Sequence, residues 1–333
     1  MAAIDVTELD IFYISYDEPN AEENWADLMN KVPWAKRIHG VKGFDAAHKA
    51  AAEQSETDRF ITVDGDNRVL NEFFDQVLDV PDRDNQGNDL SQSIFSWNAK
   101  NLLNGLVYGN GGLKCWPTEY TKTIQTHEAA TDGEGMEFCW KLNYIQLNNI
   151  FSEIHQTATP YQAFRAGFRE GVKMSLNQGK RVKPGNFIRE IWYGNYNRLQ
   201  TWCNIGADVE NGLWAIYGAR LGCFKTVLTD WDPNHIADYE WFNKFFKEEV
   251  LPQHQGLDDC KCPISKVEWD SSMLEKSIFN LGVQLNSEIN EMMLFEPTVQ
   301  SSKFFKKTYT NPPRLGAMVR EKQIQDLLEK GLI

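Results

Sequence analysis

The first 80 residues alternate between unbroken apolar runs and amphipathic stretches. Residues 9–15 (LDIFYIS) form a run of β-formers closed by the polar, proline-containing 17–20, which predicts a strand buried on both faces. Residues 21–30 place Trp25, Leu28 and Met29 on one face of a predicted helix. A short strand is expected at 35–41, an alanine-rich helix from Gly43 to residue 54, and a further buried strand over 58–63 (DRFITV). Alternation of strands and helices at these spacings predicts parallel strands joined by crossovers.

Residues 81–90 (PDRDNQGNDL) combine turn formers with charge and read as a surface loop. Strands are expected at 93–97 and 113–116, joined through a glycine-rich stretch at 108–112, and a longer one at 138–147. Beyond about residue 160 the period shifts towards 3.6, predicting helices at 161–176, 187–205, 212–227 and 238–246. The tail from Ser301 is basic and broken by prolines. The expected organisation is an α/β domain over 1–175 and a mainly helical region over 176–333.

Composition narrows the function classes. With 42% apolar and 24% charged residues the chain has the make-up of an ordinary globular protein. Its formal net charge of −13 repels polyanions as a whole, so any nucleic-acid contact must use a local basic patch. Two such patches interleave with aromatic residues: Lys180, Arg181, Lys183, Arg189 and Arg198 around Trp192, Tyr193 and Tyr196, and Lys303, Lys306, Lys307 and Arg314 around Phe304, Phe305 and Tyr309. The alternative is a solvated face with core aromatics between. The acidic start lacks a signal-peptide pattern, and the most apolar window, 212–224, is short and broken by Arg220, so a cytoplasmic protein with no membrane association is expected. Six scattered cysteines fit reduced thiols, and His254 with Cys260 and Cys262 lacks the two-pair spacing of a structural zinc site.

The chemistry concentrates at Asp64-Gly65-Asp66-Asn67, directly after DRFITV. Ligands of open α/β sheets bind beyond the carboxyl ends of the strands. Two carboxylates spaced i, i+2 there suit Mg²⁺ or Mn²⁺, whose shell phosphate oxygens would complete. The similar pairs Asp82/Asp84 and Asp230/Asp232 lie in a loop and a turn and read as structural.

At this point the stretch HGVKGFDAAHKAAAEQSETDRFITVDGDN resembles the nucleotide-sugar half of GT-A-fold glycosyltransferases, with LDIFYISYDEPN as the first strand and its acidic loop. The N-terminal third is most similar to enzymes of T-even-like and marine tailed phages, some of which glycosylate 5-hydroxymethylpyrimidines in bacteriophage DNA. The resemblance implies a GT-A-like (Rossmann-type) domain, a UDP-like sugar donor, and Asp64 and Asp66 as metal ligands, with His155 as a third. It implies Tyr16, Asp17 and Glu18 at the nucleoside, and Lys42 and His48 at the base or diphosphate. Gly111, Gly112 and Trp116 would belong to a glycine-rich loop around the donor sugar, for which a plain hairpin is the alternative. Arg165, with Arg169 one helical turn on, would grip the diphosphate. An inverting enzyme needs a carboxylate base, for which Asp132 or Glu134 is the expected supply, with His127 and Glu128 nearby; a retaining enzyme would need none of them. The implied acceptor is a hydroxymethylated pyrimidine in DNA. Rival acceptors are a glycan or a protein, and the non-enzyme rival is a binding protein that kept the fold. A nucleotidyltransferase would want a glycine-rich, lysine-containing loop after the first strand, where Asp17-Glu18-Pro19 stands.

Overall fold

The computed structural model describes residues 2–80, 83, 87, 89–108, 111–126, 142–254 and 270–309. It is a mixed α/β structure. The chain begins with β1 (Ala2–Asp5), β2 (Asp10–Ser15), α1 (Ala21–Lys31), β3 (Lys36–His39), α2 (Phe44–Gln54), β4 (Arg59–Asp64) and β5 (Asn67–Val69). It continues through β6 (Val77–Val80), β7 (Ile94–Asn101), β8 (Leu113–Pro117), the single turn α3 (Thr118–Thr121) and β9 (Tyr144–Ile154). β1 and β6 form a separate antiparallel pair. The main sheet has the order β3-β2-β4-β8-β7-β9-β5. β2, β3 and β4 run parallel, β8 is antiparallel to both neighbours, and β9 is parallel to β7 and antiparallel to β5.

Alternation along β2 and β4 decides which helix covers which face. Ile11, Tyr13, Ile61 and Val63 point to the side that holds Leu28 of α1. Phe12 and Phe60 point to the other, against Ala47, Ala51 and Ala52 of α2. The small residues of α2 let that helix lie close to the sheet, where Trp116 of β8 fills the remaining volume.

The helical half comprises α4 (Pro160–Met174), the two-residue strands β10 (Leu176–Asn177) and β11 (Lys180–Arg181), α5 (Phe187–Glu190), α6 (Tyr193–Asn204), α7 (Gly212–Leu228), α8 (Tyr239–Phe245), α9 (Ser271–Glu288) and α10 (Val299–Tyr309). In its core Phe164 and Phe168 of α4 pack with Trp214, Ile216 and Phe245, and Leu103 from the loop after β7 joins them. α4 and α7 meet backbone to backbone. Gly167 and Gly171 face Ala215 and Ala219, and Gly218 and Gly222 face the main chain at Phe164 and Phe168. A side chain at any of the four would collide with carbonyl groups of the opposite helix. Buried Arg220 of α7 then ties the bundle together, donating to the carbonyls of Cys203, Ile278 and Phe295 and to Asn204 Oδ1.

Several elements differ from the sequence expectation. The strand expected at 138–147 is β9, running to Ile154; residues 138–141 lie outside the described residues. Its polar stretch Asn148-Asn149 hides the strand from a period-2 reading, and a register shift opposite Trp97–Asn98 accommodates it. The helix expected over 187–205 breaks because Trp192 is extended, its indole lying against Gly194. α9 and α10 were not anticipated, and α10 forms the start of the tail. Among the described residues no helix is long and apolar enough to cross a membrane.

The glycine interface yields a quantitative expectation. Gly171→Ala should destabilise the protein by about 1–3 kcal/mol or more, because the new methyl has only backbone to displace. Gly185→Ala, where a methyl meets nothing within 4 Å, should stay within about 0.5 kcal/mol of the parent in the same denaturant titration.

Candidate functional site

The parallel register places Ile14 of β2 opposite Asp64 of β4. Residues 16–18 and 64–66 therefore leave the sheet at the same edge. β3 lies on one side of β2 and β4 on the other, so the strand order reverses there, the position at which doubly wound sheets bind ligands.

The turn between β4 and β5 is held by its backbone. The Gly65 carbonyl accepts from Tyr13 Oη (2.6 Å) and Asn24 Nδ2 (3.0 Å), the Asp64 amide donates to the Gly112 carbonyl (2.9 Å), and the Asp66 carbonyl accepts from the His155 amide (2.7 Å). A Cβ at 65 would sit 2.6 Å from Glu18 Oε2, so a side chain there would push the Glu18 carboxylate away from the turn. Glu18 in turn accepts from the Tyr16 amide at 2.8 Å. The turn thus gathers Glu18, Asp64 and Asp66.

Charge is unevenly matched there. Buried Lys114 of β8 places Nζ 3.6 Å from Asp64 Oδ2, and Gln156 Nε2 donates to Asp66 Oδ2 at 2.7 Å. Loss of water, then the negative charges of Asp64 and Glu18, push the Asp66 carboxyl up to about 7. A cation brought to this turn would offset the repulsion from Asp64 and Glu18.

His155 reaches the same turn through its main chain, which pairs with Asp66. Its Nε2 is buried without a hydrogen-bond partner and lies 3.6 Å from Glu153 Oε2. Burial, helped by Arg68, lowers its pKa, so the ring is neutral at pH 7, the form that ligates metals. Among the described residues no three His, Cys, Asp or Glu side chains form a ready-made metal-holding group. The donors on offer at the turn are therefore the two aspartates, whereas the His155 imidazole faces Glu153 and Arg68.

The remaining expected residues divide into three groups. Tyr16, Asp17, Lys42 and Arg165 come together around α8: Tyr16 meets the Tyr239 ring edge-on, the Arg165 guanidinium lies over that ring, and Lys42 pairs with Glu240 at 2.8 Å. Asp17 lies within electrostatic reach of Tyr161, which neighbours Arg165 and Tyr239. A second group is core and corrects the expectation of ligand contact. His48 is buried between Phe44 and Trp116, its Nδ1 bonded to the Phe44 carbonyl at 2.8 Å, and burial drops its pKa to about 4. Trp116 is fully buried, donating to Thr62 Oγ1, and has no face to offer a sugar. Gly111 and Gly112 are buried too; Gly111 lies on the backbone of β7, and Gly112, at φ +76°, packs on the Asn67 amide. Their role is to seat the Asp64–Asn67 turn. Asp132, Glu134, His127 and Glu128 make the third group and lie outside the described residues, as do Asp82 and Asp84.

Of the other features singled out, Asp232 caps the turn Pro233–Ala237 through the Asn234 amide. Arg169 has a buried Nε without a partner. Trp192 and Tyr193 are exposed, with Arg189 beside Trp192, whereas Arg181 is occupied by the carbonyls of Thr226, Thr229 and Trp231. Sequence reading missed Tyr13, Asn24, Lys114 and Gln156. Each looks like ordinary strand, helix or loop filler, and only the approach of separate elements aims it at the turn.

No protein-family model matches the chain, and no curated protein sequence matches it.

The charge imbalance has a measurable consequence. The folded pKa of Asp66, about 7, lies above its ordinary value of 3.8. Between these values the folded state keeps a proton that the unfolded chain has lost, so stability falls as pH rises through the window. In EDTA, Asp66→Asn should melt with the parent near pH 4 and several degrees above it at pH 8. Melting curves across this range check it, and equal melting at pH 8 would contradict the electrostatic account.

Proposed function

We propose that this chain is a metal-dependent glycosyltransferase using a nucleotide-sugar donor. The observation that carries it is the meeting of Asp64 and Asp66, crowded and short of positive charge, with the Tyr16–Glu18 loop at the reversal point of the sheet. The sheet order and the helices on both faces support a GT-A-like, Rossmann-type fold for the first half.

The residues present fit Mn²⁺ or Mg²⁺. All the donors at the turn are carboxylate oxygens, and such ions take one or two carboxylates and fill the shell with water and phosphate oxygens. When bound, the metal supplies charge neutralisation for the departing diphosphate. Asp64 and Asp66 would hold it, and Lys114 would orient Asp64. The Tyr13 and Asn24 bonds to Gly65 fix the turn so that both carboxylates stay in place without reorganising. In the transfer the bond from the anomeric carbon to the diphosphate oxygen breaks, a bond to the acceptor hydroxyl forms, and the hydroxyl proton leaves to a base.

For the acceptor we propose the hydroxymethyl group of a modified pyrimidine, 5-hydroxymethylcytosine, in DNA. Exposed Trp192 and Tyr193, with Arg189 beside Trp192, support a surface that stacks bases and attracts phosphate on an otherwise acidic protein. A glycan or protein acceptor uses the same donor half.

The test is incubation with Mn²⁺, a panel of sugar nucleotides and duplex DNA containing 5-hydroxymethylcytosine, read as released nucleotide and nucleoside mass. Transfer should appear with Mn²⁺ and fall by roughly 100-fold or more in Asp64→Asn and Asp66→Asn. Nucleotide release without a mass gain on the base would move the acceptor to glycans or proteins. No release with any donor would remove the enzyme reading.

A further inference from the structure

The end of β2 presents an aromatic ring that the first core does not absorb: Tyr16 is 43% exposed. It is met from the helical half by Tyr239, the first residue of α8, which is 42% exposed. The ring centroids are 6.5 Å apart and the planes inclined by 69°. The Arg165 guanidinium lies 3.5 Å from the Tyr239 centroid. One residue on, Glu240 pairs with Lys42 on the loop before α2, both side chains mostly exposed. Alongside is Tyr161, whose hydroxyl is buried with no hydrogen-bond partner. Asp17, Arg165 and Tyr239 are the charged and polar groups it feels.

Three of these features leave groups that a ligand could engage. Two half-exposed rings meeting edge-on between separate cores forgo apolar burial that a planar guest would supply. An ion pair in open solvent contributes about 0–1 kcal/mol, so the contact between α8 and the loop before α2 opens easily. A buried unpaired hydroxyl carries a desolvation cost that a polar group of a ligand would relieve. Glu18 adds the location, since it bonds the Tyr16 amide and touches Gly65, joining the ring pair to the Asp64–Asp66 turn within the span of one nucleotide.

We infer that Tyr239, braced by Arg165, is a substrate-binding residue that stacks on the nucleobase of the donor opposite Tyr16, with the Tyr161 hydroxyl and Asp17 receiving the ribose hydroxyls. The inference rests on the nucleotide-sugar reading above. It makes the helical half part of the donor site, so neither half holds the nucleotide alone. Stacking reads a π-face rather than a hydrogen-bond pattern, so it supports uracil and guanine alike; Tyr161 and Asp17 select for ribose.

Calorimetric titration of UDP and GDP into the full chain with Mn²⁺ tests it, with Mn²⁺ alone as reference. Tyr239→Ala should weaken both nucleotides by about tenfold or more, Tyr239→Phe should stay within about threefold of the parent, and Mn²⁺ affinity should be unchanged in both. Tyr239→Leu, which keeps apolar bulk without an aromatic face, should behave like Ala and decides the matter if Ala perturbs folding. A nucleotide affinity within twofold of the parent in Tyr239→Ala, or equal losses in Ala and Phe, overturns the inference while leaving Asp64 and Asp66 intact as the donor site. A parent chain that binds Mn²⁺ but neither nucleotide overturns it together with the reading beneath it.

Discussion

Two residues, Gly65 and Asp66, join strands that lie at opposite ends of a five-strand run, and that short link governs the first half of the molecule. From Asp64 to Asn67 the chain can reach at most about 11 Å. In a flat sheet β4 and β5 would stand four spacings apart, about 19 Å. The run β4-β8-β7-β9-β5 must therefore curl until its ends nearly meet. The turn at the seam is bonded from every side, by Tyr13 and Asn24 at Gly65, by Gly112 at Asp64 and by His155 at Asp66. With its backbone so fixed, the turn holds the Asp64 and Asp66 main chain at the edge of the sheet. Closure buries Asp66 and brings it near Asp64 and Glu18, and burial first, then those charges, raise its pKa.

The second constraint is the contact of α4 with α7. Glycines on both helices bring the backbones together, and dispersion across so close a contact is lost with any side chain placed between. α4 follows β9 almost directly, its start capped by Thr159 and its approach fixed by Asn211 bonding the Thr157 carbonyl. The helical half is thereby anchored within a few residues of His155 and Gln156. That anchoring carries Arg165 and α8 to the mouth of the sheet, where the loop after β2 opens.

Local pattern made much of this legible. The apolar runs located β2 and β4, the helical period located α1, α2, α4 and α7, and the position of Asp64 and Asp66 after a buried strand marked the turn. It failed where polar residues interrupt a strand. β9 was displaced because Asn148, Asn149, Ser152 and Glu153 break its alternation, yet backbone pairing with β7 and β5 holds it as a strand. His48 and Trp116 looked like ligand contacts because polar and amphipathic side chains suit both roles; burial against Phe44 assigned them to the core.

What the sequence determined by itself is what each element must hide from water, since burial is a property of one strand or helix face and is written in its own period. It also set which residue types stand at the end of β4. Which of those residues meet was decided only by the tertiary structure. Lys114 reaches Asp64, Gln156 reaches Asp66 and Tyr239 reaches Tyr16 because the sheet closes and two helices touch through glycine. Those distances depend on elements remote in the chain, and the spacing of residues within any single element carries no record of them.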